Sequence, residues 1–456
     1  MRSSSVFALL QTLRALQTRV ISDGRYRQAL LAASANAVAR ITNLIVLIVS
    51  VPLTLAYLGD ERFGLWMLIA SLPVLLGFLD LGIGNGLLNQ VAGAKATGDA
   101  NRLAEVISHG LIVLTCIGFV LGALALTATF LVPWSFMWTF SAAGVEQELR
   151  SSLTVFSLLF AISLPLSGVH RVYAALQEGY APYGLTAVAN IGSLFALVAL
   201  SEAEASVPAL LLATYGMQLA SLGFLLPALW RRGLVHLPRS RSKFTVDSKK
   251  LISSGGLFFA LQIGYMVGWG SDNLIVGTVL SVASVTTLSI VARLYQLVAV
   301  PVALLNQPLW PAYVDALTQR DQSWVRRTLG ASFIGSLVGA AILSGVVVAF
   351  FDTLISYWIG SDTSIPRDLV LMYAIWTVIQ CALNSFAMFL NAAHVLVPQI
   401  VVVSLFCLVV IPLKILLLPH VGLAAIPLSM TIAFVVAVII PYLTRFRREW
   451  IRHLLD

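Results

Sequence analysis

Residues 106–145 and 369–413 contain no Asp, Glu, Lys or Arg. About 20 apolar residues in helical form cross the hydrocarbon core of a bilayer. Each stretch is therefore long enough for more than one crossing, and no soluble fold of ordinary size hides such runs. The rest of the 456 residues agrees: 59% are apolar, 11% are charged and the mean hydropathy is +0.92, against about 45–50% apolar and about 25% charged in soluble domains. A cytosolic enzyme, a secreted domain, a coiled coil and a disordered chain are excluded. The fold class expected is an all-α polytopic membrane protein.

Turn residues divide the apolar sequence into about 12 predicted transmembrane helices, at 30–57, 63–91, 104–132, 150–176, 181–200, 206–230, 252–279, 284–313, 327–351, 366–393, 397–418 and 421–445. With the amino terminus inside, 21 Lys and Arg fall in cytoplasmic segments and three (Arg62, Arg150, Arg367) on the far side. Cytoplasmic loops collect Lys and Arg, so both termini are expected in the cytoplasm. The net charge of +8 then reports topology, and no nucleic-acid partner is expected. Trp134, Trp138, Trp230, Trp358 and Trp450 sit near predicted helix ends, where an aromatic belt would lie.

A basic loop at 231–251 separates six predicted spans, 30–230, from six more, 252–445, with a cytoplasmic tail at 446–456. Laying the first half over the second sets Gly98-Asp99 against Arg320-Asp321. Six-helix halves with both ends on one side make parallel repeats, which predicts two lobes around a central cleft. Gly77, Gly82, Gly84 and Gly86, and Pro301, Pro308 and Pro311, suit close packing or a hinge. The leader, 1–29, carries Leu9, Leu10, Leu13, Leu16 and Val20 on roughly one face, which suits an interfacial helix on anionic phospholipid as well as it suits a disordered basic tail. Cys116, Cys381 and Cys407 lie in apolar runs without metal or disulfide spacing. No metal and no cofactor are expected.

Several motifs resemble one family. Phe63-Gly64-Leu65-Trp66 and the run Leu79-Asp80-Leu81-Gly82-Ile83-Gly84-Asn85-Gly86-Leu87 look like its second helix. Leu176-Gln177-Glu178-Gly179-Tyr180 looks like the turn after its fourth. Phe389-Leu390-Asn391-Ala392-Ala393 with Pro398-Gln399 looks like its tenth-to-eleventh junction. Ile411-Pro412-Leu413-Lys414 and Gly422-Leu423-Ala424-Ala425-Ile426-Pro427 look like its last hairpin. This is the Wzx-type polysaccharide and O-antigen flippase family, within the multidrug/oligosaccharidyl-lipid/polysaccharide exporter superfamily. The resemblance spans nearly the whole chain. It implies a multi-pass protein of the bacterial inner membrane, and translocation of an undecaprenyl-diphosphate-linked glycan. Polysaccharide polymerase and glycosyltransferases are the protein partners it suggests.

Charges inside a span are costly, about 2.5–3.5 kcal/mol each on insertion scales, and are functional by default. Arg40 and Asp80 have matching predicted depths, as do Asp272 and Arg293. The arginines suit a diphosphate, which guanidinium binds in a bidentate manner. The two aspartates suit either coupling to an H⁺ or Na⁺ gradient or a structural ion pair. Arg171 and Lys414 lie near helix ends, within snorkelling distance of the interface, and are secondary candidates for the diphosphate. His109 and His170 are weaker candidates for proton transfer. A multidrug or cation antiporter shares the architecture but would favour acidic lining. A membrane glycan polymerase or ligase would need a large outer loop and an acid–base set, and the longest outer connections run about 15–18 residues with few candidates. The sequence holds no Walker A, zinc or GxSxG motif. A non-enzymatic transporter working by alternating access is the leading expectation.

Overall fold

The computed structural model describes residues 24–76, 83–134, 137–138, 144–236, 264, 266–306, 309–360, 365–393 and 396–439. The leader, most of the basic loop and the tail fall outside the described residues, as do Asp80, Gly77 and Gly82. Among the described residues the secondary structure is helical, without a strand. Buried backbone in a bilayer must satisfy its hydrogen bonds internally, which leaves helices as the solution for this composition.

The first half comprises α1 (Gly24–Leu76), α2 (Ile83–Thr97), α3 (Ala100–Leu131), α4 (Val145–Ala175), α5 (Tyr180–Glu202) and α6 (Val207–Arg231). The second comprises α7 (Asp272–Val279), α8 (Val282–Asn306), α9 (Leu309–Thr318), α10 (Gln322–Ala349), α11 (Phe351–Trp358), α12 (Arg367–Ala392), α13 (Leu396–Val421) and α14 (Ala425–Phe434). Most of these fall on the predicted spans, although 252–263 and 265 of the seventh lie outside the described residues and α11 falls in the predicted outer connection after 351; two further differences are informative. The first span and part of the second form one kinked helix, α1, bent at Gly59 with φ of 68°, a left-handed value that glycine adopts without penalty. The predicted eighth span is two helices, α8 and α9.

The halves repeat. Asp99 and Asp321, at equivalent positions of the two halves, each cap the following helix by accepting from the backbone N–H three positions on, Arg102 and Trp324, both at 3.0 Å. That cap pulls the Asp321 carboxyl below the usual carboxylate range. Gly98 and Arg320 before them both have positive φ. α4 and α12 start at Val145 and Arg367, which the same alignment of the halves sets against each other. Single π-helical turns occur at Leu212–Gly216 and Val435–Ile439, a feature the sequence pattern did not signal.

Among the described residues the apolar cores of the two lobes join at one end. Near the Gly59 kink one apolar cluster spans both, with Val51, Leu55, Phe63 and Leu65 packed together with Val282, Val285, Leu288 and Val291. At the opposite end the cores are separate. Ile83, Leu87, Ile107, Val172 and Tyr173 pack within the first lobe, while Tyr313, Val325 and Phe389 pack within the second. Among the described residues the lobes share a core at the kink end, here called the closed end, and have separate cores at the other, here called the parted end. Gly64 makes the closure possible: a Cβ there would overlap the Val282 carbonyl oxygen, so helix backbones touch, as small residues permit in membranes.

The belt expectation needs correction at two tryptophans. Trp138 is buried, stacked on Trp134 at 5.2 Å between ring centres. Trp358 turns inward and bonds the first lobe, while Trp230 is exposed as a belt residue should be.

Candidate functional site

The seam between α1 and α8 is the place where the lobes must separate in any rocking motion. Its hydrogen bonds run in one direction, from second-lobe side chains to first-lobe acceptors. Asn273 Nδ2 donates to the Met67 carbonyl at 3.2 Å, and Thr286 Oγ1 donates to the Asp60 carbonyl. Trp358 Nε1 donates to the Ile48 carbonyl at 2.7 Å. Arg293 Nη1 donates to Ser50 Oγ at 2.9 Å, with the Leu47 carbonyl at 3.4 Å.

Local sequence explains why α1 offers acceptors there. Pro52 lies inside α1 and has no N–H, so the carbonyl one helical turn earlier, that of Ile48, loses its helical donor. An orphaned carbonyl in a bilayer needs a partner. The Trp358 indole supplies one from the other lobe. Ser50 then spends its hydroxyl proton on the Leu47 carbonyl at 3.3 Å, leaving its lone pairs for Arg293.

Arg293 sits about three turns past the start of α8, about 16 Å along the helix. It lies deep among protein atoms yet keeps some accessible surface. Trp66 lies beneath it, 5.8 Å from ring centre to guanidinium carbon, within cation–π range. Among the described residues no carboxylate lies within ion-pair distance of Arg293. A guanidinium carries five N–H donors, and among the described residues only Nη1 is engaged, on neutral acceptors.

The other candidates are placed differently. Asp272 does not meet Arg293, as their predicted depths suggested. It pairs with Lys414, Oδ1 to Nζ at 2.6 Å. Lys414 does not snorkel: its side chain is 0% exposed, and Nζ also donates to the Gly268 carbonyl at 2.7 Å. The ammonium points into the second lobe. Arg40 is partly buried on α1, its Nε 3.4 Å from Asn36 Oδ1. It precedes Ser50 by about 15 Å along the helix, towards the parted end. Its expected partner Asp80 is outside the described residues. Arg171 is partly buried near the end of α4, beside His170, whose ring packs edge-on against Tyr183. His109 is buried in α3. The structure therefore keeps Arg293 on the seam and Arg40 on the same helix that carries Arg293's acceptors, and removes Lys414 to a lobe interior.

Sequence reasoning missed Ser50, and it named Gly64, Trp66 and Trp358 without their place on the seam. The signal for one of them was present, since Pro52 announces a free carbonyl at Ile48. Nothing local announces that its donor lies in the other half of the chain. No cluster of three or more potential metal ligands occurs among the described residues.

No family model matches the chain. A Yersinia pseudotuberculosis protein assigned to O-antigen export is 20% identical over 363 residues, covering 79% of this chain and 82% of that protein. Among solved structures, an inward-facing multidrug resistance MATE family transporter of the MOP superfamily superposes with a TM-score of 0.75 at 13% identity, covering 92% of this chain and 98% of its own. The lipid II flippase MurJ in an inward closed conformation superposes with a TM-score of 0.68 at 12% identity, covering 91% of this chain and 87% of its own. The chain has the fold of these two-lobed transporters, and it is a multi-pass membrane protein.

Proposed function

We propose that this protein flips an undecaprenyl-diphosphate-linked oligosaccharide across the bacterial inner membrane by alternating access, for surface polysaccharide export. The observation that carries the proposal is Arg293, a guanidinium at the apex of a one-ended cleft with neutral partners only among the described residues. A charge held there without a carboxylate is costly unless an anion visits it. The diphosphate fits its free donors in the bidentate manner. The assignment of the Yersinia relative to O-antigen export and the fold shared with the lipid II flippase support this reading.

The parted end takes the substrate. Lys95, Arg102, Arg231, Arg232, Arg320, Arg326 and Arg327 lie at that end, and Arg62, Arg150 and Arg367 at the closed one, so the positive-inside rule supports a cytoplasmic parted end. Arg40 meets the head group on the way in, Arg293 holds it at the apex, and the prenyl tail stays in lipid between the lobes. A drug-cation reading finds less support, because the buried acid of the second lobe, Asp272, is neutralised by Lys414. Catalysis is not part of the proposed role.

The test is glycan export measured beside protein level in the membrane. Arg293→Gln should reach the membrane and lose export, and Arg293→Lys should recover only part, since an ammonium lacks the planar fork. Full export by Arg293→Gln at normal protein level would sink the proposal. For Arg40 the double change with Asp80→Ala decides. Export recovered by the double would assign Arg40 to an ion pair instead of the substrate.

A further inference from the structure

We propose that Arg293 serves two acceptors in turn, so that the diphosphate itself unlocks the closed end: Ser50 and Trp358 are positioning residues of a latch that substrate binding releases. The inference rests on the preceding functional reading and adds the cause of the motion to it.

The argument starts from the direction of the seam bonds. Among the seam contacts described above, the second lobe brings the donors and the first lobe brings neutral oxygens, nearly all of them main-chain carbonyls. Neutral acceptors are poor competitors for a guanidinium. Hydrogen bonds from Arg to phosphate are roughly twice as strong as neutral ones and are often bidentate. A diphosphate arriving from the parted end offers anionic oxygens to the unengaged donors of Arg293. Taking both of its forks draws Nη1 off Ser50 Oγ and the Leu47 carbonyl, which removes the only charged donor among these contacts.

What remains at this depth is the bond from Trp358 Nε1 to the Ile48 carbonyl. That carbonyl exists as a free acceptor because of Pro52. It makes the latch reversible without a charged partner: when the lobes part, water entering the widened cleft satisfies Ile48, and on return the indole replaces it. Ser50 and Ile48 lie within one turn of α1, and Arg293 and Trp358 approach them from α8 and α11. Two separate second-lobe elements thus grip that turn. The grip lies about 13 Å below the Gly59 kink; once this turn is let go, the kink end is held only by neutral bonds from Asn273 and Thr286 and by apolar contacts, among those described.

The experiment uses the full chain in nanodiscs, with nitroxides on Gln147→Cys and Thr353→Cys, both exposed at the closed end, and with Cys116, Cys381 and Cys407 replaced by alanine. Farnesyl diphosphate is the probe and farnesol the control without phosphate. The label pair should show a narrow, short distribution alone or with farnesol, and a longer one with farnesyl diphosphate. Ser50→Ala should lengthen it without ligand, by about a tenfold change in the closed-to-open ratio, the size expected for a bond to a charged group. Ser50→Thr, which keeps the hydroxyl, should restore the short distance. Trp358→Phe should shift the ratio about two- to tenfold, as one neutral bond does. That shift should shrink in a Pro52→Ala background, where the Ile48 carbonyl regains a helical donor. If farnesyl diphosphate binds to the parent and not to Arg293→Gln, yet the distances are the same with and without it, the latch is wrong and the functional reading stands. If farnesyl diphosphate binds the parent and Arg293→Gln equally, or neither, both are overturned.

Discussion

The second lobe holds two deeply placed cations, and the structure treats them oppositely. Lys414 is closed off from solvent, 2.6 Å from Asp272 and capped by the Gly268 carbonyl. Arg293 stands at the seam with a hydroxyl, a carbonyl and an aromatic face. One charge has been neutralised and so contributes to holding α7 and α13 together. The other has been left without a counterion, among the described residues, at the seam between the lobes. A buried charge with its counterion belongs to the fold, whereas one without it implies a ligand or a moving part.

Changes at the two sites should therefore separate stability from transport. The largest effect is expected at Lys414→Met. It strands the Asp272 carboxylate, a loss of about 3–5 kcal/mol, read as a lower melting temperature in detergent. The double change with Asp272→Asn should return most of it, and failure to do so would mean that Lys414 has a role beyond the pair. Gly64→Leu comes next. It places a side chain where the Val282 carbonyl already lies and should disfavour the closed end by about 1–3 kcal/mol. Export should fall and the label pair should lengthen, while Gly93→Ala, with nothing near its Cβ, should do neither.

A comparable effect is expected at Glu148→Gln. Glu148 takes both arms of Arg62 at 2.7 and 2.8 Å and the Val207 N–H at 2.8 Å. It joins the Gly59 kink to α4 and α6, and its loss should cost about 1.5–3 kcal/mol by the same melting measurement. Arg293→Gln should change stability by less than about 1 kcal/mol, or raise it, because an unpaired charge leaves the interior, although export is lost. A large loss of stability there would erase the contrast with Lys414. Smallest of all is Arg232→Ala at the parted end. Its pair with Glu178 is half exposed, and about 0.5 kcal/mol or less is expected.

Much of this was readable without coordinates. The helices follow from charge-free apolar length, and the two lobes from the basic loop and the constant offset between the halves. The recurrence of an Asp cap at Asp99 and Asp321 extends the same offset into three dimensions. The candidate site was partly readable: cost marked Arg40, Asp80, Asp272 and Arg293, while Lys414, expected to snorkel from a helix end, is instead fully buried. Depth along a helix then suggested Asp272 with Arg293, and the structure pairs Asp272 with Lys414 instead. Depth is one coordinate of three. Which face of α7 looks at α13 is set by packing among Gly268, Phe406 and Cys407, and no pattern within either helix records it.

By itself, then, the sequence determined that this chain crosses a membrane many times, roughly where most of its helices lie, that its halves have a matching pattern, and that several ionisable groups lie inside spans. Each is a local consequence: apolar length, a capping side chain, the cost of a charge in hydrocarbon. Tertiary structure alone decided which of those charges is neutralised, which end of the cleft is closed, and that the carbonyl freed by Pro52 is met by Trp358. These depend on lateral contacts between helices far apart in the chain, where small residues let backbones touch and hydrogen-bond donors find whatever acceptors packing leaves open.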